Sequence, residues 1–348
     1  MSKLTIFLSM FFLILFFVFI YVFSNITEIY NTPAFVDDIC PDGSINNTCS
    51  AIKPYFCQGW LLVEDAKICG CSKNTTIANE KCVSQFQTEP KKIQLNYTLR
   101  GEIKGIDYTV YEGMAEHLSE IPRFIKFNGN QTSRLDFKLR NINQEEQKEF
   151  LFPLVAEIGK ITKDEDDRMR IAVSVVQNIA WGKSNKTTSF RKTEVQYSRY
   201  PYEVLYDIEG VCGEKSELLA FLLKEMGYGV AIFYNQEENH EAVGVKCPLE
   251  KSWKNSGYCF IETSGAAIIS DSNIEYSGGF SLDSEPEVMK ISDGKSLPED
   301  LYEYRDAEKL IEARKAVQGE DFLFNPKKLV TFKKLEKKYG LAKEYQAG

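Results

Sequence analysis

The stretch Glu209-Gly210-Val211-Cys212-Gly213-Glu214-Lys215-Ser216 runs directly into Glu217-Leu218-Leu219-Ala220-Phe221-Leu222-Leu223-Lys224-Glu225-Met226. Leu218, Leu219, Leu222, Leu223 and Met226 have the spacing of a helix that buries one face, and Gly227 is placed to stop it. A loop that delivers Cys212 to the first turn of this helix sets its sulfur among unpaired N–H groups at the positive dipole end, where a thiolate is favoured. After the helix come an expected strand at 230–234 and then His240, opening the apolar alternation Ala242, Val243, Val245. The run Tyr258-Cys259-Phe260-Ile261-Glu262-Thr263 follows. Thiol, imidazole and carboxylate thus occur in the order nucleophile, base, orienting acid.

Cys212 at a helix start, His240 at a strand start and an acid on the next strand resemble the transglutaminase-like superfamily, a branch of the papain-like cysteine enzymes. The lead-in from Tyr200-Pro201 to Gly210-Val211-Cys212-Gly213-Glu214-Lys215-Ser216, the Leu-Leu pairs and Gly227-Tyr228 carry the likeness, which covers roughly residues 145–290. It implies an α+β fold with a papain/transglutaminase-like core, the nucleophile helix packed on an antiparallel sheet. It also implies a catalytic triad of Cys212, His240 and Glu262 that attacks an amide or ester carbonyl through a thioester. Glu262 stands where the family most often has Asp, one methylene longer, and a Trp-Lys-rich loop interrupts the strand after His240. In transglutaminases proper an upstream Trp helps hold the oxyanion, and Trp181 precedes Cys212 by a similar distance. Its competing role is packing in the core or at its rim. Gln177, one turn earlier, is another candidate. Neither a cofactor nor a metal is implied.

The chain has 348 residues, 43% apolar and 26% charged, the composition of a globular protein. Its formal charge of -8 argues against nucleic acid as a partner. Residues 4–23 are uncharged and mostly apolar, about 30 Å as a helix, and are expected to form a transmembrane anchor rather than a cleaved signal peptide. Lys3 before that run sets the amino terminus in the cytoplasm and the later domains outside it, a single-pass arrangement. Cys40, Cys49, Cys57, Cys69, Cys71 and Cys82 crowd the segment 40–84, which reads as a disulfide-stapled module of an oxidising compartment. Six cysteines allow fifteen pairings, and the spacing does not choose among them. Zinc is the competing reading, but Cys-x2-Cys units and a nearby histidine are missing. Sequons at Asn46, Asn74, Asn96, Asn130 and Asn185 would suit a glycoprotein.

Short apolar alternations mark 94–140 as a small β region, with His117 in a surface or packing role. A helix broken near Pro153 and a second one opened by Asp164, Glu165, Asp166 and Asp167 begin the transglutaminase-like domain, 145–295. A helical segment, 298–348, closes the chain. The expected function is a membrane-anchored, extracytoplasmic cysteine enzyme acting on a protein or peptide of the cell envelope. Water as acceptor makes it a peptidase or amidase, a lysine makes it a cross-linking transglutaminase, and the residues leave both open. The alternative is an inactive papain-like scaffold that binds an envelope peptide or glycan.

Outside the 40–84 module the cysteines are Cys212, Cys247 and Cys259. A nucleophile must stay free, so Cys247 and Cys259 are expected to pair across the hairpin between the His240 and Glu262 strands. If those two face each other directly, His240 faces residue 266, four positions past Glu262 and some 13 Å off at about 3.3 Å per residue. A bulge or bend must then shift the register, or one of the two pairings is mistaken.

Overall fold

The computed structural model describes residues 39–73, 75–78, 80–125, 132–190, 193–318 and 326–347. At its centre is helix Cys212–Glu225, which begins where Val211 is extended (φ −81°, ψ 169°). Glu214 in the first turn reaches back to accept the Val211 N–H at 3.1 Å, satisfying one orphan donor at the positive end. The helix stops in a Schellman motif: Gly227 takes φ +82° and its N–H donates to the Lys224 carbonyl at 2.9 Å. The Tyr228 N–H donates to the Leu223 carbonyl at 3.0 Å. The apolar spacing predicts one buried face, yet every residue from 214 to 223 is buried. Helices Arg134–Ile142, Glu145–Ile161, Glu165–Asn178 and Pro201–Asp207 surround it together with the sheet, so no face is left to water.

The sheet has four antiparallel strands in the order Tyr258–Ile261, His240–Lys246, Val230–Asn235, Glu287–Ser292. Alternation sorts its side chains. Val230, Ile232, Val243, Val245, Cys259 and Ile261 join the main core, while Phe233, Ala242 and Phe260 join a second cluster with Trp253, Tyr276 and Leu282. With both faces covered, the strands read as almost unbroken apolar runs.

The amino-terminal half departs from expectation. Strands Pro90–Leu99 and Glu102–Tyr111 form one ten-residue hairpin closed by Arg100 and Gly101, both at positive φ, as a type I′ turn requires. Beyond it the expected β region is helical, Glu112–Glu120 and Arg134–Ile142. Leu135 and Leu139, which look alternating, also lie at the helical spacing that leads to buried Ile142. Ser133 and Asp136 complete a capping box that decides for helix. Helix Glu145–Ile161 continues through Pro153 instead of breaking. Burial of Phe150, Leu151, Phe152, Leu154 and Val155 on both sides of the proline outweighs the lost hydrogen bond. Helix Glu165–Asn178 starts at Asp164, whose carboxylate caps the Asp167 N–H at 2.8 Å.

Three disulfides staple the cysteine-rich module: Cys40–Cys57, Cys49–Cys69 and Cys71–Cys82. It is no detached knob, because Tyr55 packs edge-on against Phe152 and Cys40, Tyr55, Cys57 and Leu62 belong to the main core. Asn46 accepts the Gly59 N–H at 2.7 Å, Asn96 and Asn185 are exposed, and Asn74 and Asn130 lie outside the described residues. Helices Tyr302–Gln318 and Pro326–Tyr339 pack on each other, and the tail returns to donate the Ala342 N–H to the Ala266 carbonyl at 2.9 Å.

The expected fold class, a papain/transglutaminase-like core behind a transmembrane helix, is corrected. The described chain is α+β with several small sheets, and none of its helices is long and apolar enough to cross a membrane. The apolar central helix shows why: its 14 residues span about 21 Å, short of a bilayer core, and carry Glu214, Lys215, Glu217 and Lys224. The single-pass localisation is corrected on the same finding. Residues 4–23, on which the anchor was expected, lie outside the described residues. What the described chain does carry is four disulfides, the chemistry of an oxidising compartment.

Candidate active site

Cys212 is the first residue of the central helix, 5% exposed, and is a free thiol, whereas the eight other cysteines are paired. The helix start is fastened to the strand that bears the acid. Thr263 Oγ1 donates to the Cys212 carbonyl at 3.2 Å and lies 3.0 Å from Ser216 Oγ. A side chain at Gly213 would begin 2.6 Å from Glu241 Oε2 and would displace that carboxylate, which marks how closely the helix start approaches the strand beside His240.

His240 opens its strand and Glu262 follows the end of the next, with Val243 opposite Ile261 and Val245 opposite Cys259. This register removes the expected conflict without a bulge. Cys247 and Cys259 do form the disulfide, with Cα atoms 5.7 Å apart, but as a diagonal pair two residues out of register. The whole ladder is thereby displaced by two residues from the facing arrangement, and a second diagonal, leaning the other way, brings Glu262 to His240. Parity is kept, and both side chains point to the face shared by Ala242 and Phe260.

Glu262 Oε2 lies 3.0 Å from His240 Nε2 and also accepts the Tyr276 hydroxyl. Its Oε1 accepts the backbone N–H groups of Thr263 (2.9 Å) and Ser264 (2.7 Å). Burial opposes the charge of this carboxylate, but His240 and then Tyr276 and the Ser264 N–H more than offset it, holding the pKa down to about 2. Burial likewise opposes the imidazolium of His240, and Glu262 followed by Cys212 overrides it, so the ring is pushed up to about 10. Nδ1 of the same ring is buried with no hydrogen-bond partner among the described residues, and the Cys212 side chain is among the groups that raise the ring. An imidazole fixed at one nitrogen by a carboxylate and open at the other toward a thiol can take and return the proton of that thiol.

Trp181 belongs to the two-residue strand Ala180–Trp181, parallel to Glu209–Gly210, with Trp181 opposite Gly210, two residues before Cys212. Its indole N–H is buried with no hydrogen-bond partner among the described residues. Gln177 is already engaged: its amide nitrogen donates to the carbonyls of Glu262 (2.9 Å) and Ala267 (3.1 Å), which makes it a brace and not an oxyanion donor. His117 stacks on Phe86 at 4.1 Å, apart from these groups.

Three residues escaped the sequence reading. Tyr276 lies in an irregular Ser- and Gly-containing segment that has no periodic signal. Its ring is 4.6 Å from that of His240. Arg199, buried, joins Asp207 (2.8 Å), Glu209 (2.7 Å), Glu214 (3.2 Å) and the Gly182 carbonyl (3.1 Å), clamping the strand of Trp181 to the loop of Cys212. Lys215 was visible in the motif, but nothing local assigns it a partner. Among the described residues no group of three or more His, Cys, Asp or Glu side chains is arranged to hold a metal ion. No protein-family model matches this chain, and no curated protein does.

Proposed function

We propose that the chain is a transglutaminase-like cysteine enzyme acting on amide bonds of a protein or peptide through a thioester at Cys212. The observation that carries this reading is a single buried imidazole addressed from two sides. Nε2 is held by Glu262 at 3.0 Å, Nδ1 has no hydrogen-bond partner among the described residues, and the free Cys212 heads the helix packed against the His240 strand. In the reaction Nδ1 takes the Sγ proton, the thiolate attacks the carbonyl carbon, and the C=O electron pair moves onto oxygen. The Trp181 indole N–H, with the Cys212 backbone N–H at the helix start, is the donor set available to that oxyanion. Collapse expels the amine, which takes the proton from Nδ1 and leaves a thioester. Water or a second amine then adds, Nδ1 accepts its proton, and the thiol is released as that proton returns to sulfur. Glu262 holds the ring in one tautomer throughout and does not itself take the proton.

An electrophilic amide probe tests the proposal. Labelling of the native protein that disappears in Cys212→Ala supports the enzyme, and product identification then separates water from amine as acceptor. A folded protein with a reduced Cys212 that takes no label favours the binding scaffold instead.

A further inference from the structure

Lys215 is fully buried and forms no ion pair with a carboxylate among the described residues. Its Nζ donates to the Ile179 carbonyl at 2.6 Å and to the carbonyls of Gln177 at 3.4 Å and Ser264 at 3.5 Å. The helix start makes room for its stem at Gly210, where a Cβ would meet Lys215 Cγ at 3.2 Å. The three carbonyls belong to the two segments that bear Trp181 and Glu262, and Lys215 itself lies one turn after Cys212. One ammonium therefore joins the segments of Trp181, Cys212 and Glu262. An ammonium removed from water is costly unless fixed dipoles and an opposite charge replace its hydration. The dipoles are the carbonyls. Burial draws its pKa down to about 8, and the groups whose charge resists that are Glu262 and then Cys212. Behind Glu262 stand His240 and Tyr276, while Glu214, beside Lys215 on the helix, is paired at 3.2 Å with Arg199, which it shares with Asp207 and Glu209.

We propose that Lys215 is the counter-charge of the site, a positioning residue that balances the buried thiolate and holds the Trp181, Cys212 and Glu262 segments in one geometry. The inference rests on Cys212 being the nucleophile. Thiolate, imidazolium and ionised Glu262 together leave one uncompensated negative charge among buried groups, and Lys215 cancels it. Without it the buried thiolate and Glu262 lose that counter-charge.

The test is the alkylation rate of Cys212 by iodoacetamide as a function of pH, under non-reducing conditions that leave it the free thiol. Wild type supplies the reference midpoint. Lys215→Met, which keeps the stem and removes the charge, should raise that midpoint by about one unit or more and slow alkylation about tenfold below it. Lys215→Gln retains a donor for the carbonyls and should behave like Met, which separates charge from hydrogen bonding and serves if Met does not fold. A folded variant with the Cys247–Cys259 bridge intact and the wild-type midpoint overturns the proposal and leaves the nucleophile standing. A wild-type midpoint typical of an ordinary thiol instead overturns the nucleophile reading. A mutation-free comparison guards against both variants failing to fold. Wild type alkylated with iodoacetate, which leaves an anion on Cys212, should melt higher than wild type alkylated with iodoacetamide, which leaves a neutral group. Equal melting temperatures count against the counter-charge.

Discussion

At the scale of single residues, the proposed mechanism has Glu262 orient the base and Trp181 meet the substrate, and two substitutions separate these roles. Glu262→Gln replaces an ionised acceptor by a neutral amide, so the imidazolium loses its partner and its tautomer is no longer imposed. Turnover should fall about 10²–10⁴-fold with the fold retained, measured as kcat on an amide substrate of the wild-type enzyme. A Gln variant as fast as wild type removes the carboxylate from the mechanism. Trp181→Phe keeps the ring volume and deletes the unpartnered N–H. It should lower kcat by about 10²-fold with KM little changed, and should leave the pH dependence of Cys212 alkylation where it was. A loss in KM alone would make Trp181 a binding surface and leave the oxyanion to backbone donors.

At the scale of elements, the hairpin of His240–Lys246 and Tyr258–Ile261 carries base and acid, and its far end is closed by Cys247–Cys259 across a sequence separation of 12. Opening a loop of that length costs about 3 kcal/mol in the chain-entropy account. The double variant Cys247→Ala, Cys259→Ala should therefore lose about that much in urea unfolding. It should also turn over more slowly, because the two-residue offset that brings Glu262 to His240 is then held by the ladder alone. A variant with lowered stability and unaltered kcat would show that the strand pairing sets the register unaided. The central helix behaves differently. Its cap at Glu214 and its Schellman end are local and would survive such a change.

For the molecule as a whole, the buried His240–Glu262 pair ties stability to pH in two opposite limbs. Glu262 is held below its ordinary value of 4.5, so its contribution is complete above that value and is lost as the pH falls toward about 2. His240 is held above its ordinary value of 6.5, so its contribution is complete below that value and is lost as the pH rises through about 10. Urea midpoints should form a plateau between pH 4.5 and 6.5 and decline on either side, and Glu262→Gln should flatten both limbs. An alkaline limb that persists unchanged in the Gln variant would assign it to other groups. The cysteine-rich module shares this fate, since Tyr55, Cys57 and Leu62 lie in the same core as the central helix.

Local patterns were enough to settle the helix that begins at Cys212 and its stop at Gly227, because a capping acid and a left-handed glycine act within a few residues. Elimination was enough to pair Cys247 with Cys259, since a free nucleophile leaves those two outside the 40–84 module. The same local rules misled between residues 112 and 142, where apolar spacing fits both a strand and a helix and the choice fell to capping and packing. Pro153 was read as a break because its local cost is visible in the sequence, whereas the core that outweighs it is not. The two-residue offset of the hairpin, the Tyr276 hydroxyl on Glu262, the Arg199 clamp and the carbonyls around Lys215 join residues from 8 to 49 positions apart. No periodicity encodes such contacts. They exist because the sheet, the helix and the returning loops bury these groups together, and each buried charge must find a partner that only the tertiary structure supplies.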